Sequence, residues 1–358
     1  MKLKFKFLLG IQLMLSLELI AQKIDLPNNS FYIQLNEHQK KYLQIAKLGG
    51  FPFIRMPQKH YVINDSSKNI YSLKKYLLLS NDLLVNDSTK FFTQKLFDAI
   101  MHYQVRMGLH ANGKIDAATR KEMNTSIAVR LTQMEINLQR MRLIKHTLNN
   151  NYIVINIPEF KLHIVEDNVS IYDANVVVGK AGTQTLVFKD SISSVVLNPY
   201  WNIPSSIIYK EILPKIFRNK NYLVENNMEM LSDSPPIIRQ VPGNTNSLGK
   251  MKFLFPNSHN IYLHDTPEKY LFKNYKRALS HGCIRVENPK VVAIYLLRNS
   301  KQWNASAIDS VLISNVETPI QLAPKVPIYI VYFTAWVNFK GELNFRKDVY
   351  KKDKIFVK

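Results

Sequence analysis

The chain has 358 residues and a formal net charge of +21, which allows two or three domains with buried cores and favours an anionic partner such as nucleic acid, a membrane surface or a wall polymer. Its single cysteine excludes an intramolecular disulfide. The sequence lacks zinc-finger spacing, an RNP-like aromatic motif and a long Lys/Arg run, so nucleic acid is not expected as a partner. The many lysines and asparagines are also consistent with genome composition alone.

Residues 1–22 have the pattern of a signal peptide. Three lysines among the first six residues precede a mostly apolar stretch over 7–20, and Ala21 offers a small residue for cleavage. The stretch is short and interrupted by polar residues, which disfavours a membrane span. We therefore expect an exported protein of the periplasm or cell envelope. An uncleaved anchor, with the N-terminus close to a membrane, is the alternative.

Residues 23–90 predict a helical N-terminal region, with the clearest helical spacing over 70–84. Residues 91–124 predict a small helical module. Its first helix is expected to end at Gly108, and its second to begin after Asp116 as the N-cap.

This module resembles the small helical peptidoglycan-binding module of many wall enzymes, and a packing element without a ligand is the alternative. The residues that carry the resemblance are Tyr103, Gln104, Gly108, Leu109, Asn112, Gly113, Ile115, Thr119, Met123 and Asn124. Residues 125–150 follow as one amphipathic linking helix.

From residue 151 to about 350 the pattern changes to strands. Residues 201–251 interrupt them with helical patches around 207–217 and 223–230, and we interpret this insertion as a lid over the sheet. The predicted fold class is α+β, with a mainly β, sandwich-like domain and an inserted lid subdomain after an α-helical N-terminal region. The predicted strands are 152–157, 160–165, 169–178, 191–197, 252–255, 261–264 and 327–336.

The only cysteine, Cys283, lies in the segment Ser280-His281-Gly282-Cys283-Ile284-Arg285. A thiol attacks as its thiolate and therefore needs a neighbouring base or positive charge. His264, at the end of an apolar strand, is a candidate base, and its imidazole could be oriented by the Asp265 carbonyl or by a nearby polar side chain.

Other residues of the segment suit supporting roles. Gly282 would let the backbone approach a substrate carbonyl, and the amides of Gly282 and Cys283 are candidate oxyanion donors. Arg285 could hold a carboxylate or join the loop to the protein. Residue types alone also allow a buried structural cysteine, or a metal site formed by His264, His281 and Cys283 that lacks a fourth ligand.

The spacing of His264, fifteen residues and then Ser280 to Arg285 resembles the signature of the L,D-transpeptidase (YkuD-type) catalytic domain. The resemblance extends over roughly 150–350 to the larger, multi-domain members. Further matching segments are 156–158, 176–180, 198–204, 238–243, 248–249, 252–256 and 329–336.

The resemblance implies an acyl transfer on peptidoglycan tetrapeptide stems. Cys283 would attack the carbonyl of the third stem residue, D-Ala would leave, and the side-chain amine of another stem would resolve the thioester into a 3→3 cross-link. His264 would be the proton donor and acceptor. No cofactor or metal is expected, and carbapenem β-lactams are the expected inhibitors.

The resemblance also assigns supporting residues and leaves alternatives. Ser280, His281 and Arg285 would support the site, Tyr262 would border the oxyanion position, and Tyr200 and Trp201 would line the substrate groove. The alternatives are an L,D-carboxypeptidase with water as acceptor, attachment of a protein or a D-amino acid by the same chemistry, and a non-catalytic wall-binding protein.

Overall fold

The computed structural model describes residues 30–55, 60–85, 89–144 and 150–356, with side chains up to residue 354. The predicted signal peptide, residues 1–22, lies outside the described residues. Helices dominate the chain up to residue 144. They are α1 (Ser30–Lys47), α2 (Lys68–Leu79), α3 (Gln94–Arg106), α4 (Ala117–Met123) and α5 (Ile127–Arg142).

The ends of α3 and α4 follow the sequence signals. Gly108, just past α3, has φ of +63°, a conformation that glycine adopts without steric cost. Asp116 caps α4, because its carboxylate accepts the Thr119 N–H at 2.7 Å. Between the two helices, the side-chain Oε1 of the buried Gln104 accepts the N–H groups of Asn112 and Gly113, which fixes the turn there.

Most of the remaining chain forms one nine-stranded sheet. The strands are β1 (Asn151–Asn156), β2 (Lys161–Glu166), β3 (Val169–Gly179), β4 (Phe188–Leu197), β8 (Met251–Leu254), β9 (Leu263–His264), β10 (Ala278–Ser280), β11 (Ile284–Val286) and β12 (Thr318–Val331). Their order in the sheet is β10-β3-β11-β9-β8-β4-β12-β1-β2. Because β2 also pairs with β3, eight of these strands close a ring.

The helices pack against the outside of this ring, and β1 shows how. Ile153 and Ile155 point into the ring and join its interior core. Tyr152 and Val154, on the opposite face, belong to the apolar cluster that contains the buried residues of α1 to α5. One apolar cluster therefore spans residue 150, and the predicted boundaries at 90, 124 and 150 stay predictions.

A buried charged group ties β2 to β3. His163 Nδ1 lies 2.6 Å from Asp173 and its Nε2 lies 3.1 Å from Glu159. Burial alone would lower the pKa of His163, but the two carboxylates outweigh burial and raise it to about 9. His163 is therefore charged in the folded protein at neutral pH.

The insertion between β4 and β8 is a small subdomain with its own core. It contains the strands β5 (Trp201–Asn202), β6 (Met228–Asp233) and β7 (Pro236–Gln240), and the short helices α6 (Ser205–Ile207), α7 (Leu213–Arg218) and α8 (Tyr222–Glu225), with a π-helical segment at Ile208–Ile212. Ile203, Ile208, Ile212 and Ile238 form its core.

One predicted element of the insertion is wrong. The helix expected over 223–230 ends at Glu225, because Asn227 takes a left-handed conformation with φ of +52°. The following residues form β6, which pairs with β7 as an antiparallel hairpin. The run of apolar residues did not distinguish a strand from a helix here.

The C-terminal part combines two helices with an outer hairpin. The helices are α9 (Pro289–Leu296), which follows the cysteine segment, and α10 (Ala305–Ser314). The hairpin consists of β13 (Ala335–Val337) and β14 (Leu343–Phe345). Within the described part of the chain, no helix is both long enough and apolar enough to cross a membrane.

Candidate active site

The candidate base lies on a strand that pairs in parallel with the strand directly after the candidate nucleophile. In the pairing of β9 with β11, Leu263 is level with Ile284 and His264 is level with Arg285. Leu263 and Ile284 are fully buried in the core of the ring. Because side chains alternate along a strand, His264 and Arg285 belong to the outer face. Cys283 directly precedes β11, so the pairing brings the cysteine loop next to His264.

Hydrogen bonds within the cysteine loop fix its backbone. The buried Ser280 hydroxyl donates to the Cys283 carbonyl at 2.6 Å and accepts the Gly282 N–H at 3.1 Å. Thr185 donates to the Gly282 carbonyl at 2.7 Å, and Thr183 donates to the Ser280 carbonyl at 3.1 Å. The segment before β4 thus holds the loop from the side.

These contacts bear on the expected role of Gly282. Its N–H is already bound by Ser280, so the Cys283 N–H is the candidate oxyanion donor of the pair. An added Cβ at Gly282 would find no protein atom closer than 3.9 Å. The φ of +126° favours glycine whatever the space, and the close approach of a substrate carbonyl stays a prediction.

His264 is held as a neutral base. Its side chain is almost fully buried, at 5% exposure, and Nδ1 lies 2.5 Å from the Asp265 carbonyl. A carbonyl only accepts, so Nδ1 carries the proton and Nε2 keeps its lone pair. Burial, together with the charges of Arg285 and Lys252, lowers the pKa of His264 to about 3.

Cys283 is half-buried and rests as a thiol. Its Sγ lies 3.6 Å from the Asn260 carbonyl. Burial raises the pKa of the thiol, against hydrogen bonding with Tyr262 and the positive charges of Lys252 and Arg285. Burial and the nearby sulfur in turn raise the pKa of Tyr262. The Tyr262 hydroxyl therefore stays protonated next to the sulfur and can donate to an oxyanion.

Asp265 supports the base through its backbone position. Its carboxylate accepts the Lys250 N–H at 2.9 Å and forms an ion pair with Lys269. Gly249 packs directly on this carboxyl group, where an added Cβ would overlap it. These contacts fix the carbonyl that orients His264.

Arg285 is bound within the protein. Its guanidinium forms an ion pair with Glu268. Of the two roles expected for Arg285, the structure therefore has the one that joins the loop to the protein.

Two residues of the insertion lie close to the site. Glu211 Oε1 lies 2.9 Å from His281 Nε2 in the cysteine loop. The Trp201 side chain is near the Tyr262 hydroxyl and opposes the rise of its pKa. Tyr200, the other aromatic residue expected in the groove, instead stacks on Arg239, whose guanidinium lies 4.2 Å from the ring centroid.

The sequence did not reveal Lys252, Thr185 or Glu211 as neighbours of the site. Thr185 and Glu211 come from distant segments, whereas Lys252 lies only 12 residues before His264, on the neighbouring strand. Loop contacts and strand pairing bring the three close to the site. Only a signal for strand register could have found Lys252, which is paired with His264 between β8 and β9. Among the described residues, no group of three or more His, Cys, Asp or Glu side chains is arranged to hold a metal ion.

Comparison with known proteins gives a family match over the same region. Residues 150–301 match the family model described as the YkuD L,D-transpeptidase catalytic domain. A Haemophilus influenzae protein assigned to the L,D-transpeptidases is 34% identical over 249 residues, which is 64% of this chain and 50% of that protein. The chain thus spans about half the length of the curated relative that it matches.

Solved structures of L,D-transpeptidases are also similar, at low identity. One from Stackebrandtia nassauensis is 14% identical, with a TM-score of 0.29 and coverage of 77% of this chain and 97% of its own. One from Mycobacterium smegmatis is 16% identical, with a TM-score of 0.28 and coverage of 52% and 60%. A third, in complex with imipenem, is 14% identical, with a TM-score of 0.28 and the same coverage.

Proposed function

Since residues 150–301 belong to the L,D-transpeptidase (YkuD) catalytic-domain family, we propose that this chain is a cysteine acyltransferase that forms 3→3 cross-links between peptidoglycan tetrapeptide stems. The observation that supports it most is the pairing of β9 with β11, together with the neutral His264 whose Nδ1 is held by the Asp265 carbonyl. This arrangement suits a base that takes a proton from Cys283.

In the first half-reaction Cys283 is acylated. His264 Nε2 takes the thiol proton, and the sulfur attacks the carbonyl carbon of the third stem residue. The oxyanion that forms accepts hydrogen bonds from the Cys283 N–H and the Tyr262 hydroxyl. The C–N bond then breaks, His264 returns the proton to the amine of the leaving D-Ala, and a thioester remains on Cys283.

In the second half-reaction the thioester is resolved. The side-chain amine of another stem gives a proton to His264 and attacks the thioester carbonyl. The C–S bond breaks, the proton passes to sulfur, and the new amide bond is the cross-link. The insertion acts as a lid in this step, since closure over the thioester would keep water out and favour the amine. The contacts of Glu211 and Trp201 support this role.

The partner and location follow from this chemistry. The substrate is peptidoglycan, so the protein works in the periplasm or cell envelope. The basic charge of the chain suits an anionic wall. Residues 91–124 would add a wall contact of their own, and carbapenems would acylate Cys283, because attack on a strained β-lactam opens its ring.

One experiment tests the reaction. The mature protein is incubated with disaccharide-tetrapeptide, and the products are identified by mass spectrometry beside a Cys283→Ala variant. A cross-linked dimer that depends on Cys283 supports transfer. Tripeptide alone identifies a carboxypeptidase, and a product that forms equally with the variant rejects the cysteine mechanism.

A further inference from the structure

Lys252 is a cation at the candidate active site that the proposed reaction has not yet used. It lies on β8 directly opposite His264 on β9, which puts both side chains on the same face of the sheet. Its ammonium lies 4.5 Å from the centroid of the Tyr262 ring. Tyr262 and Cys283 each influence the pKa of the other, and Lys252 lowers that of Cys283, so the ring of Tyr262 lies between the ammonium and the neighbourhood of the sulfur.

The charge of Lys252 has no fixed counter-charge. Within the described part of the chain, no carboxylate lies within 4.0 Å of its ammonium, whereas the other cation beside His264, Arg285, has Glu268 as a partner. Burial lowers the pKa of Lys252, because burying an ammonium without a counter-charge costs free energy. Such a cost is usually offset by an anion, and the anion that forms nearby is the Cys283 thiolate.

We propose that Lys252 is a positioning cation for the reaction of Cys283. Its positive charge favours loss of the thiol proton and disfavours a long-lived imidazolium at His264, so that the proton is passed on to the leaving amine. The inference rests on the proposed role of Cys283 as nucleophile. Lys252 itself remains protonated and transfers no atom.

The charged groups around this position are consistent with such a role. Glu317, at the end of the chain segment that leads into β12, acts on Lys252 only at a distance, and its Oε1 is bound by the Tyr200 N–H at 2.9 Å. Glu211 of the insertion is paired with His281. Each neighbouring carboxylate is therefore engaged elsewhere. The titratable groups that face Lys252 and Cys283 are Tyr262, His264, Arg285 and Glu317.

The test measures the thiol itself rather than cross-linking. Alkylation of Cys283 by iodoacetamide is followed by mass spectrometry between pH 5 and 10 in the wild type and in Lys252→Met. Loss of a nearby positive charge is expected to slow alkylation about ten-fold at pH 7 and to move the profile about one pH unit upward. Lys252→Arg keeps the charge and should restore the wild-type profile.

A matched control is Lys189→Met, which removes an ammonium that lies 5.3 Å from the Tyr329 ring. Lys189 is near the start of β4, away from the part of β4 that pairs with β8. This variant should keep the wild-type profile. An unchanged profile in a folded Lys252→Met protein would overturn the proposal, and Lys252→Gln decides by the same criterion if Lys252→Met does not fold. Because alkylation needs no peptidoglycan, a failure of the transferase assay alone leaves this result standing and identifies the substrate assignment as the error.

Discussion

His281 Nε2 lies 2.9 Å from Glu211 Oε1, and this contact joins the cysteine loop to the inserted subdomain. Both side chains are close to half-exposed, at 44% and 42%. A pair of this kind contributes roughly 0.2–1 kcal/mol. That is too little to hold the fold together, but enough to shift the balance between open and closed positions of a lid.

The first prediction concerns this contact. Glu211→Gln should leave the thermal unfolding temperature nearly unchanged and raise the ratio of tripeptide to cross-linked dimer two- to five-fold, because a less firmly closed lid admits water to the thioester. Glu229→Gln is the control, since it removes a lid ion pair with Arg239 that does not touch the cysteine loop. An equal product ratio in both variants would show that the contact does not control the acceptor.

The second prediction concerns the backbone of the cysteine loop. Gly282→Ala forces a side chain into a φ of +126°, at a cost of about 1–3 kcal/mol, and relaxation of that strain moves the Cys283 N–H. Acylation by a carbapenem, followed by intact-protein mass, should slow at least ten-fold. Gly243→Ala, where an added Cβ meets no atom within 4 Å, should acylate at the normal rate. A Gly282→Ala protein that also acylates normally would contradict the importance of this conformation.

The third prediction concerns the dependence of acylation on pH. The pKa of His264 is lowered to about 3 and that of Cys283 is raised, so the base is already neutral above about pH 4 and the thiol is still protonated at pH 8. The protonated thiol and the neutral base keep the same population across this range, so the rate of carbapenem acylation should stay nearly constant from about pH 5 to about pH 8, without a step near 6.5. A clear step near 6.5 would mean that His264 titrates like an exposed histidine, and His264→Gln would identify it by removing that step.

The fourth prediction concerns stability rather than activity. The folded pKa of His163 is raised from 6.5 to about 9, so its stabilisation is fully present below pH 6.5 and is lost as the pH rises through 9. On the order of 3 kcal/mol is at stake. Urea midpoints measured from pH 6 to pH 10 should fall in the wild type and remain flatter in His163→Gln. The exposed His110→Gln variant should follow the wild type, and parallel curves for all three proteins would refute the assignment.

Local signals in the sequence were sufficient for much of the fold. The Asp116 cap and the turn at Gly113 depend on residues close in the chain, and the structure has both. The run of residues from Tyr152 was recognisable as a strand because it carries apolar side chains on both faces. The pair of His264 and Cys283 was recognisable because its spacing resembles the signature of a known catalytic domain, whereas the residue types alone left other roles open.

The other features depend on strand pairing and loop contacts that cannot be read from the linear sequence. The closure of the ring and the support of Gly282 by Thr185 come from strands or loops that are far apart in the chain. The position of Lys252 beside His264 depends on the register between β8 and β9. The hydrogen bond from the Gly282 N–H to Ser280 depends on the conformation of the loop, which a glycine in the sequence does not reveal. Strand β6 was missed because a short apolar run satisfies both helical and strand patterns.

The closed ring of strands also places the N-terminal helices and the candidate active site on different sides of the protein. Strand β9, which carries His264, and strand β1, which carries the helices on its outer face, are four strands apart in either direction around the ring. A chain tethered to a surface through its helices would therefore turn its cysteine toward the opposite side. The helices and the cysteine loop thus lie on opposite walls of the ring, so that a molecule held at one wall would leave the other accessible.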